Sequence, residues 1–383
     1  METFKANNYK KIFTKLINKL DWPLLFIVIL FIPLSLVIIS SAVGSTDWRI
    51  EEQFRNFLIA FSAILFVAII DHETLIKLSP IFYMVGLFLL LCVEFFGETS
   101  KGATRWLNIG IARIQPSEIL KISAPMFLAW YFHHCQRGIS KLDFFIAITL
   151  LIIPCFLIVL QPDLGTALLV FIAGVYVIYF SGLSFKFLFI PISIGILIFL
   201  MVYAYQDQLC KPEVNWFLLH KYQKNRICTL LDPNSDPLGK GFHTAQSVIA
   251  VGSGGLYGKG YKKGTQTQLN FIPERATDFV FSVFAEEFGL YGSISLIFLY
   301  GLLIIRGFFI AIHAKSEFGR LLVAALTMMI FTYVFVNLGM VTGILPIVGI
   351  PLPFVSYGGT ALLTMGISCG IMMNVSKHKR LIY

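Results

Sequence analysis

Asp278 stands where a polar stretch turns into a long apolar run, FIPERATDFVFSVFAEEFGLYG, and Glu274, Arg275, Asp278, Glu286 and Glu287 crowd that boundary. Charged residues are only 13% of the chain, so the crowding needs a reason. A carboxylate in or near a bilayer costs roughly 2.5–3.5 kcal/mol on insertion scales, and it normally faces water, a partner charge or a ligand. One positioned carboxylate can take the proton of a hydroxyl nucleophile, or it can share a divalent cation with phosphate oxygens. The competing structural reading is a cap, since Thr277-Asp278 ahead of an apolar run is an ordinary helix start. From Asp278 to Ile305 the apolar helix would span about 42 Å at 1.5 Å per residue, against about 30 Å of hydrocarbon. The surplus predicts that the first turns, with Glu286 and Glu287, protrude or line a watery cavity.

Other charges fall into pairs and clusters. Glu118 and Lys121 lie three apart in RIQPSEILKIS, on one helix face, as a neutralised pair or as contacts to a charged headgroup. The preceding loop, GETSKGATRWLNIGIARIQPSE, concentrates Lys101, Arg105 and Arg113. Arginine grips phosphate bidentately, and Trp106 offers a sugar platform or an interfacial anchor. Asp163, in Gln161-Pro162-Asp163, can satisfy a helix N-terminus. The proline-rich GILPIVGIPLPFVSYGG reads as a stiff lip over a groove, with Ser356 and Tyr357 as polar contacts. The glycine-rich VGSGGLYGKGYKKGTQTQ is not a Walker loop, because Lys259 is followed by Gly260 rather than Ser or Thr. It reads as a turn-rich loop that shapes a surface.

These residues must be held by membrane helices. Hydrophobic residues are 57% of 383, with 37 Phe, and the mean hydropathy is +0.79; soluble domains hold about 45–50% apolar residues. The expected fold is an all-α polytopic integral membrane protein, one domain over residues 1–383. Ten spans are expected near Leu24–Val43, Asn56–Ile70, Pro80–Phe96, Ser117–His134, Phe144–Leu160, Leu164–Phe180, Phe187–Tyr205, Phe279–Ile305, Leu321–Val341 and Gly358–Val375. The first is read as uncleaved. Residues 206–277 form one large extracytoplasmic segment. With both termini cytoplasmic, fifteen Lys and Arg fall inside and five in the short outer loops, as the positive-inside rule asks. The net charge of +9 then reflects topology and anionic lipid, not nucleic acid. Cys210 and Cys228 lie outside the membrane, to pair or to remain as two thiols according to the compartment. No CxxC or Cys/His cluster suggests zinc.

In this order, RWLNIGIARIQPSEILK, QPDLGTALL, DPLGKGFHTAQSVIAVGSGGLYGKG, FIPERATDFVFSVFAEEFG and LPFVSYGG resemble the SEDS family (shape, elongation, division and sporulation) over nearly the whole chain. GTQTQLNFIPER and VGIPLPFVSYGG are more similar to its elongation branch than to its division branch. The resemblance implies a peptidoglycan glycosyltransferase of the cytoplasmic (inner) membrane that polymerises lipid II at the outer face. It implies Asp278 as the essential acidic residue, with Arg105, Arg113, Glu118, Lys121 and Asp163 in the substrate cavity. It also implies a class B penicillin-binding protein and other elongation-complex proteins as partners, beside lipid II, the nascent glycan strand and membrane lipid. The chain departs from the family's usual pattern at Asn270, often acidic, and at Ala276, often His.

An α-linked donor giving a β-1,4 bond means inversion in a single displacement. Asp278 would serve as base or as ligand of a divalent cation (Mg²⁺ or Mn²⁺), with no organic cofactor. Two other classes compete: a flippase of lipid-linked oligosaccharide, and a noncatalytic scaffold for a cell-wall transpeptidase. The charges gather at the outer mouth rather than at the midplane where transporters place their sites, and no clear internal repeat is visible.

Overall fold

A computed structural model describes residues 20–44, 47–100, 103–108, 110, 113–135, 140–182, 200–211, 240–269 and 274–377, with isolated residues 193, 197, 214, 216, 224, 228 and 271. The bundle helices are α1 (Trp22–Val43), α2 (Trp48–Ile69), α3 (His72–Phe96), α4 (Pro116–His134), α5 (Lys141–Leu160) and α6 (Leu164–Phe180). The long polar segment carries α7 (Gln206–Leu209), α8 (Lys240–Ser253) and α9 (Thr265–Gln268), and the bundle ends with α10 (Val280–Ile312), α11 (Glu317–Val341) and α12 (Gly359–Ser376). Without water to hydrogen-bond, an isolated apolar segment satisfies its backbone only as a helix. Their starts are written in the sequence: Asp21, Asp47, Ser140, Asp163 and Ser316 each cap a helix with a side-chain oxygen.

Nine of the ten expected spans are present, and seven of them are long and apolar enough to cross a membrane by length and composition. Of the span expected at Phe187–Tyr205, residues 200–204 are helical and most of the rest lies outside the described residues. Lys101 and Asn270 lie outside them as well. The protein is a polytopic helical membrane protein. At its centre is α11, 78% buried over its most apolar stretch, packed against α4, α6, α10 and α12. Although joined in sequence, α2 and α3 scarcely touch: α2 packs on α12 and α3 on α4.

Two features were not expected, and one left open between two alternatives takes the paired form. The loop carrying Arg105 and Arg113 is a three-stranded antiparallel ribbon of β1 (Glu98–Ser100), β2 (Ala103–Asn108) and β3 (Arg113–Ile114), in the order β1-β2-β3. Cys210 and Cys228 form a disulfide, with Cα atoms 5.7 Å apart. Finally, α10 breaks at Gly289, whose φ is 65°. The glycine-rich turn docks into the break. Lys259 N and Gly260 N donate to Glu286 O and Glu287 O (3.0 Å each), while Leu290 N and Tyr291 N donate to Gly255 O (2.9 Å) and Leu256 O (3.2 Å). A Cβ on Gly289 would lie 2.3 Å from Gly258 N, and one on Gly258 would lie 2.1 Å from Glu287 O, so this approach needs glycine on both sides.

The break corrects the expectation that Glu286 and Glu287 protrude or line a watery cavity. Both are buried, at 0% and 1% exposure. The Glu286 carboxylate accepts from Lys259 Nζ (2.7 Å), Thr265 Oγ1 (3.0 Å), Gln266 N (3.1 Å) and Thr267 Oγ1 (3.3 Å). Glu287 accepts from Ser41 Oγ on α1. The surplus length of α10 is wrapped by residues 255–267 instead of being left to water.

Candidate active site

Asp278 lies just outside α10. The N-cap is Phe279, whose side chain makes no capping bond, so Asp278 stands one residue before the cap. It is half-buried. Its main chain is held from α11, and that of its two predecessors from the lip. Tyr357 N donates to Ala276 O (2.9 Å), Ser356 Oγ to Thr277 O (2.6 Å), and Asn337 Nδ2 of α11 to Asp278 O (2.9 Å). The lip's Gly349 has φ 79°, and a Cβ on it would lie 3.3 Å from Asp278 Oδ2. The lip therefore runs directly beside the carboxylate. Ser356 is spent in structure, also accepting from Leu352 N (2.8 Å), and the Tyr357 hydroxyl donates to Glu52. Burial, then that bond, push the Tyr357 hydroxyl well above its ordinary pKa, which keeps it a donor at neutral pH.

On the other side of the lip, Val348 rests against Gly165, where a Cβ would lie 2.8 Å from Val348 Cγ1. This places the lip on the first turn of α6, beside Asp163. Asp163 caps α6 through Thr166 N (3.3 Å) and also accepts from Thr166 Oγ1 (3.0 Å) and Gln115 Nε2 (3.1 Å). Arg105 reaches down from β2, with Nη2 2.6 Å from Pro162 O and Nε 3.7 Å from Asp163 Oδ2. The structure brings Arg105 and Asp163 together. Arg113 is exposed and pairs instead with Glu98 across the ribbon (3.2 Å).

Glu118 and Lys121 form a close pair, Nζ to Oε1 2.6 Å, with side chains 13% and 4% exposed. Thr364 Oγ1 of α12 donates to Glu118 Oε2 (3.1 Å). The Lys121 ammonium lies 5.3 Å from the Tyr333 ring centroid, a cation–π geometry. Tyr333 and Asn337 are four apart on α11, about 6 Å along its axis, so one helix face links the Glu118–Lys121 pair to the Asp278 segment. The expected residues thus gather at one end of the bundle as separate clusters joined by α11 and the lip. Gln115, Tyr333, Asn337 and Thr364 completed these clusters without having been singled out. The signal for the last three was a polar side chain inside an apolar span.

A cavity of about 600 Å³ opens beside this end. Its walls come from α2, α3, α4 and α12, where α2 and α3 part, and are apolar residues such as Phe66, Phe82, Ile122 and Ile367. Arg113, Gln115, Glu118 and Thr364 also line it. Among the described residues no group of three or more His, Cys, Asp or Glu could hold a metal ion. A divalent cation at Asp278 would therefore have at most two such side chains there and would draw its remaining oxygens from other donors such as phosphate and water.

The chain is thus a polytopic helical membrane protein with charge pairs at one end and an apolar cavity in its side. The chain matches the FtsW/RodA/SpoVE profile, described as a cell cycle protein, over residues 17–381, and it belongs to that family. It is 43% identical to the peptidoglycan glycosyltransferase MrdB of Escherichia coli (strain K12) over 376 residues, 98% of each chain. It is 32% identical to the stage V sporulation protein E of Bacillus subtilis (strain 168), over 94% of this chain and 98% of that one. One similar solved structure is described as the structural coordination of polymerization and crosslinking by a peptidoglycan synthase complex; its TM-score is 0.77 at 31% identity, over 95% of this chain and 99% of that chain. Another is the rod shape determining protein RodA of Thermus thermophilus, with a TM-score of 0.69 at 26% identity, over 94% and 97%.

Proposed function

We propose that this chain is a peptidoglycan glycosyltransferase that polymerises lipid II at the outer face of the cytoplasmic membrane during cell elongation. The observation that carries the reading is the position of Asp278: one residue before the helix cap, half-buried, beside the lip, with its main chain bonded from α11. The elongation branch is favoured by 43% identity to MrdB against 32% to the FtsW of Bacillus subtilis (strain 168). The outer face is favoured by the Lys and Arg distribution and by the Cys210–Cys228 disulfide, since such bonds persist in oxidising compartments. The apolar cavity suits part of an isoprenoid tail, with Arg113 and Glu118 at the level of a headgroup.

In the reaction the C4 hydroxyl of one disaccharide attacks the anomeric carbon of another. A new C–O bond forms, the bond to pyrophosphate breaks with inversion, and the hydroxyl proton passes to Asp278 as general base. The lipid pyrophosphate leaves with the bonding electrons. Arg105 and Lys121 supply positive charge on that side, and Asp163 and Glu118 keep each cation oriented. In the alternative role Asp278 would hold a divalent cation rather than act as base, and the cation would supply counter-charge for the leaving group. Its removal by EDTA should then slow polymerisation, with recovery on adding Mg²⁺ or Mn²⁺. A class B penicillin-binding protein cross-links the product strand, a partnership that the peptidoglycan synthase complex similar to this chain supports.

Purified protein supplied with fluorescent lipid II tests the reading. Wild type should give polymer ladders, and Asp278→Asn should give none while inserting and unfolding like wild type. Transbilayer movement of lipid II without polymer would make the chain a flippase, and neither activity would make it a scaffold. An Asn variant within a few-fold of wild type would remove Asp278 from the chemistry.

A further inference from the structure

Asn337 is fully buried, at 0% exposure, near the end of the most apolar-packed helix of the bundle. Its amide nitrogen donates twice, to Asp278 O (2.9 Å) and to Ile350 O (2.8 Å). Asp278 carries the proposed base, and Ile350 follows Gly349, the lip residue beside the carboxylate. One side chain therefore spans the two segments that define the space around Asp278 Oδ2. Its own oxygen, Oδ1, is buried without a hydrogen-bond partner among the described residues. An orphan buried acceptor is unfavourable, so the position is occupied for its two N–H groups. The helix underneath is central and largely buried, which makes Asn337 a common reference for both segments.

We propose that Asn337 is a positioning residue for the transfer step, clamping the Asp278 main chain to the lip so that the carboxylate keeps its distance and angle to the acceptor hydroxyl. The inference rests on the glycosyltransferase reading. Displacing a reacting group by about 1 Å can cost about 100-fold in rate, and a general base acts only within hydrogen-bond reach. Asn337 touches no part of the apolar cavity, so its loss should leave lipid II capture alone and lower turnover.

The test uses the full-length chain in liposomes with lipid II, comparing wild type with Asn337→Asp and Asn337→Leu, both close to Asn in size. Asn offers two N–H donors, a protonated Asp one, and Leu none. The expected result is a graded fall in kcat per folded molecule, about 10-fold for Asp and about 100-fold for Leu, with the half-saturating lipid II concentration within two-fold of wild type. The Asp variant should also lose rate as pH rises and its carboxyl ionises, against the wild-type profile. If Leu does not fold, the Asp variant decides on the same two measurements. Wild-type kcat in both variants overturns the proposal, as does a rise in half-saturating concentration with kcat intact. Failure of the wild type itself to polymerise overturns the glycosyltransferase reading instead.

Discussion

Neutralising one member of the Glu118–Lys121 pair should destabilise the protein more than neutralising both. The two side chains are 13% and 4% exposed and 2.6 Å apart, which places the pair in the buried regime rather than among screened surface bridges. Breaking such a pair costs about 3–5 kcal/mol, because the survivor is left as an unpaired charge, while replacing both by neutral groups is often near neutral. Here the lower end applies. After Lys121→Met, Glu118 keeps Thr364 and borders a cavity. After Glu118→Gln, Lys121 keeps the Tyr333 ring, worth about 1–2 kcal/mol in a desolvated site. Each single variant should therefore lose about 3 kcal/mol, and the double variant should recover about 2 kcal/mol relative to either. Thermal unfolding of the three variants in one detergent gives the rank order, read as apparent midpoints because membrane proteins unfold irreversibly. Additive loss, with the double variant least stable, would refute the pair. Wild-type stability in all three with polymerisation lost would show that the charges serve the substrate alone.

Three further outcomes are expected. Arg105→Lys should raise the lipid II concentration needed for half-maximal rate several-fold, because lysine keeps the charge but loses the planar fork that spans Pro162 O and Asp163; an unchanged value would shift the phosphate contact to Arg113, Lys121 or a cation. Glu286→Gln should cost about 2–4 kcal/mol through its weakened bonds to Lys259 and its neighbours, read as faster hydrogen exchange across residues 254–268, and unchanged protection there would show that Glu286 does not hold the glycine-rich turn in the break. Reducing Cys210–Cys228, which closes an 18-residue separation, should cost about 3 kcal/mol on the chain-entropy model and lower the apparent unfolding midpoint. A reductant-insensitive midpoint would show that the loop is held by other contacts.

Long apolar runs made the bundle legible, since a span must supply about 20 of them in sequence. Helix starts were less so. α2 begins at Trp48 rather than Asn56 because Asp47 caps a turn that also holds Arg49, Glu51, Glu52 and Arg55, and charge hides a helix from a hydropathy reading. His72 and Glu73 do the same for α3, read from Pro80. The ribbon went unread because its strands have 3, 6 and 2 residues, too short for a periodic signal to rise above a polar loop. The Glu118–Lys121 contact was legible because three residues separate them on one helix. The Arg105–Asp163 contact was not, because it joins a ribbon to a helix across 58 positions of chain. Glu286 and Glu287 were misread for a related reason: nothing local to α10 announces that a turn 30 residues upstream fills the break at Gly289.

That break divides α10 between two rulers. Leu290–Ile312 is 23 residues, about 34 Å, close to the roughly 30 Å of hydrocarbon that lipid dictates. The nine residues before Gly289 are gauged by protein alone: by the glycine-rich turn on one side, by Ser41 of α1 on another, and by the lip at their outer end. Membranes differ in thickness, and spans answer by tilting at a cost of fractions of a kcal/mol per Å. In this chain that adjustment falls on the lipid-measured part of the helix. Asp278 takes its coordinates from the other part, so one sequence can hold that carboxylate in the same place in bilayers of different depth.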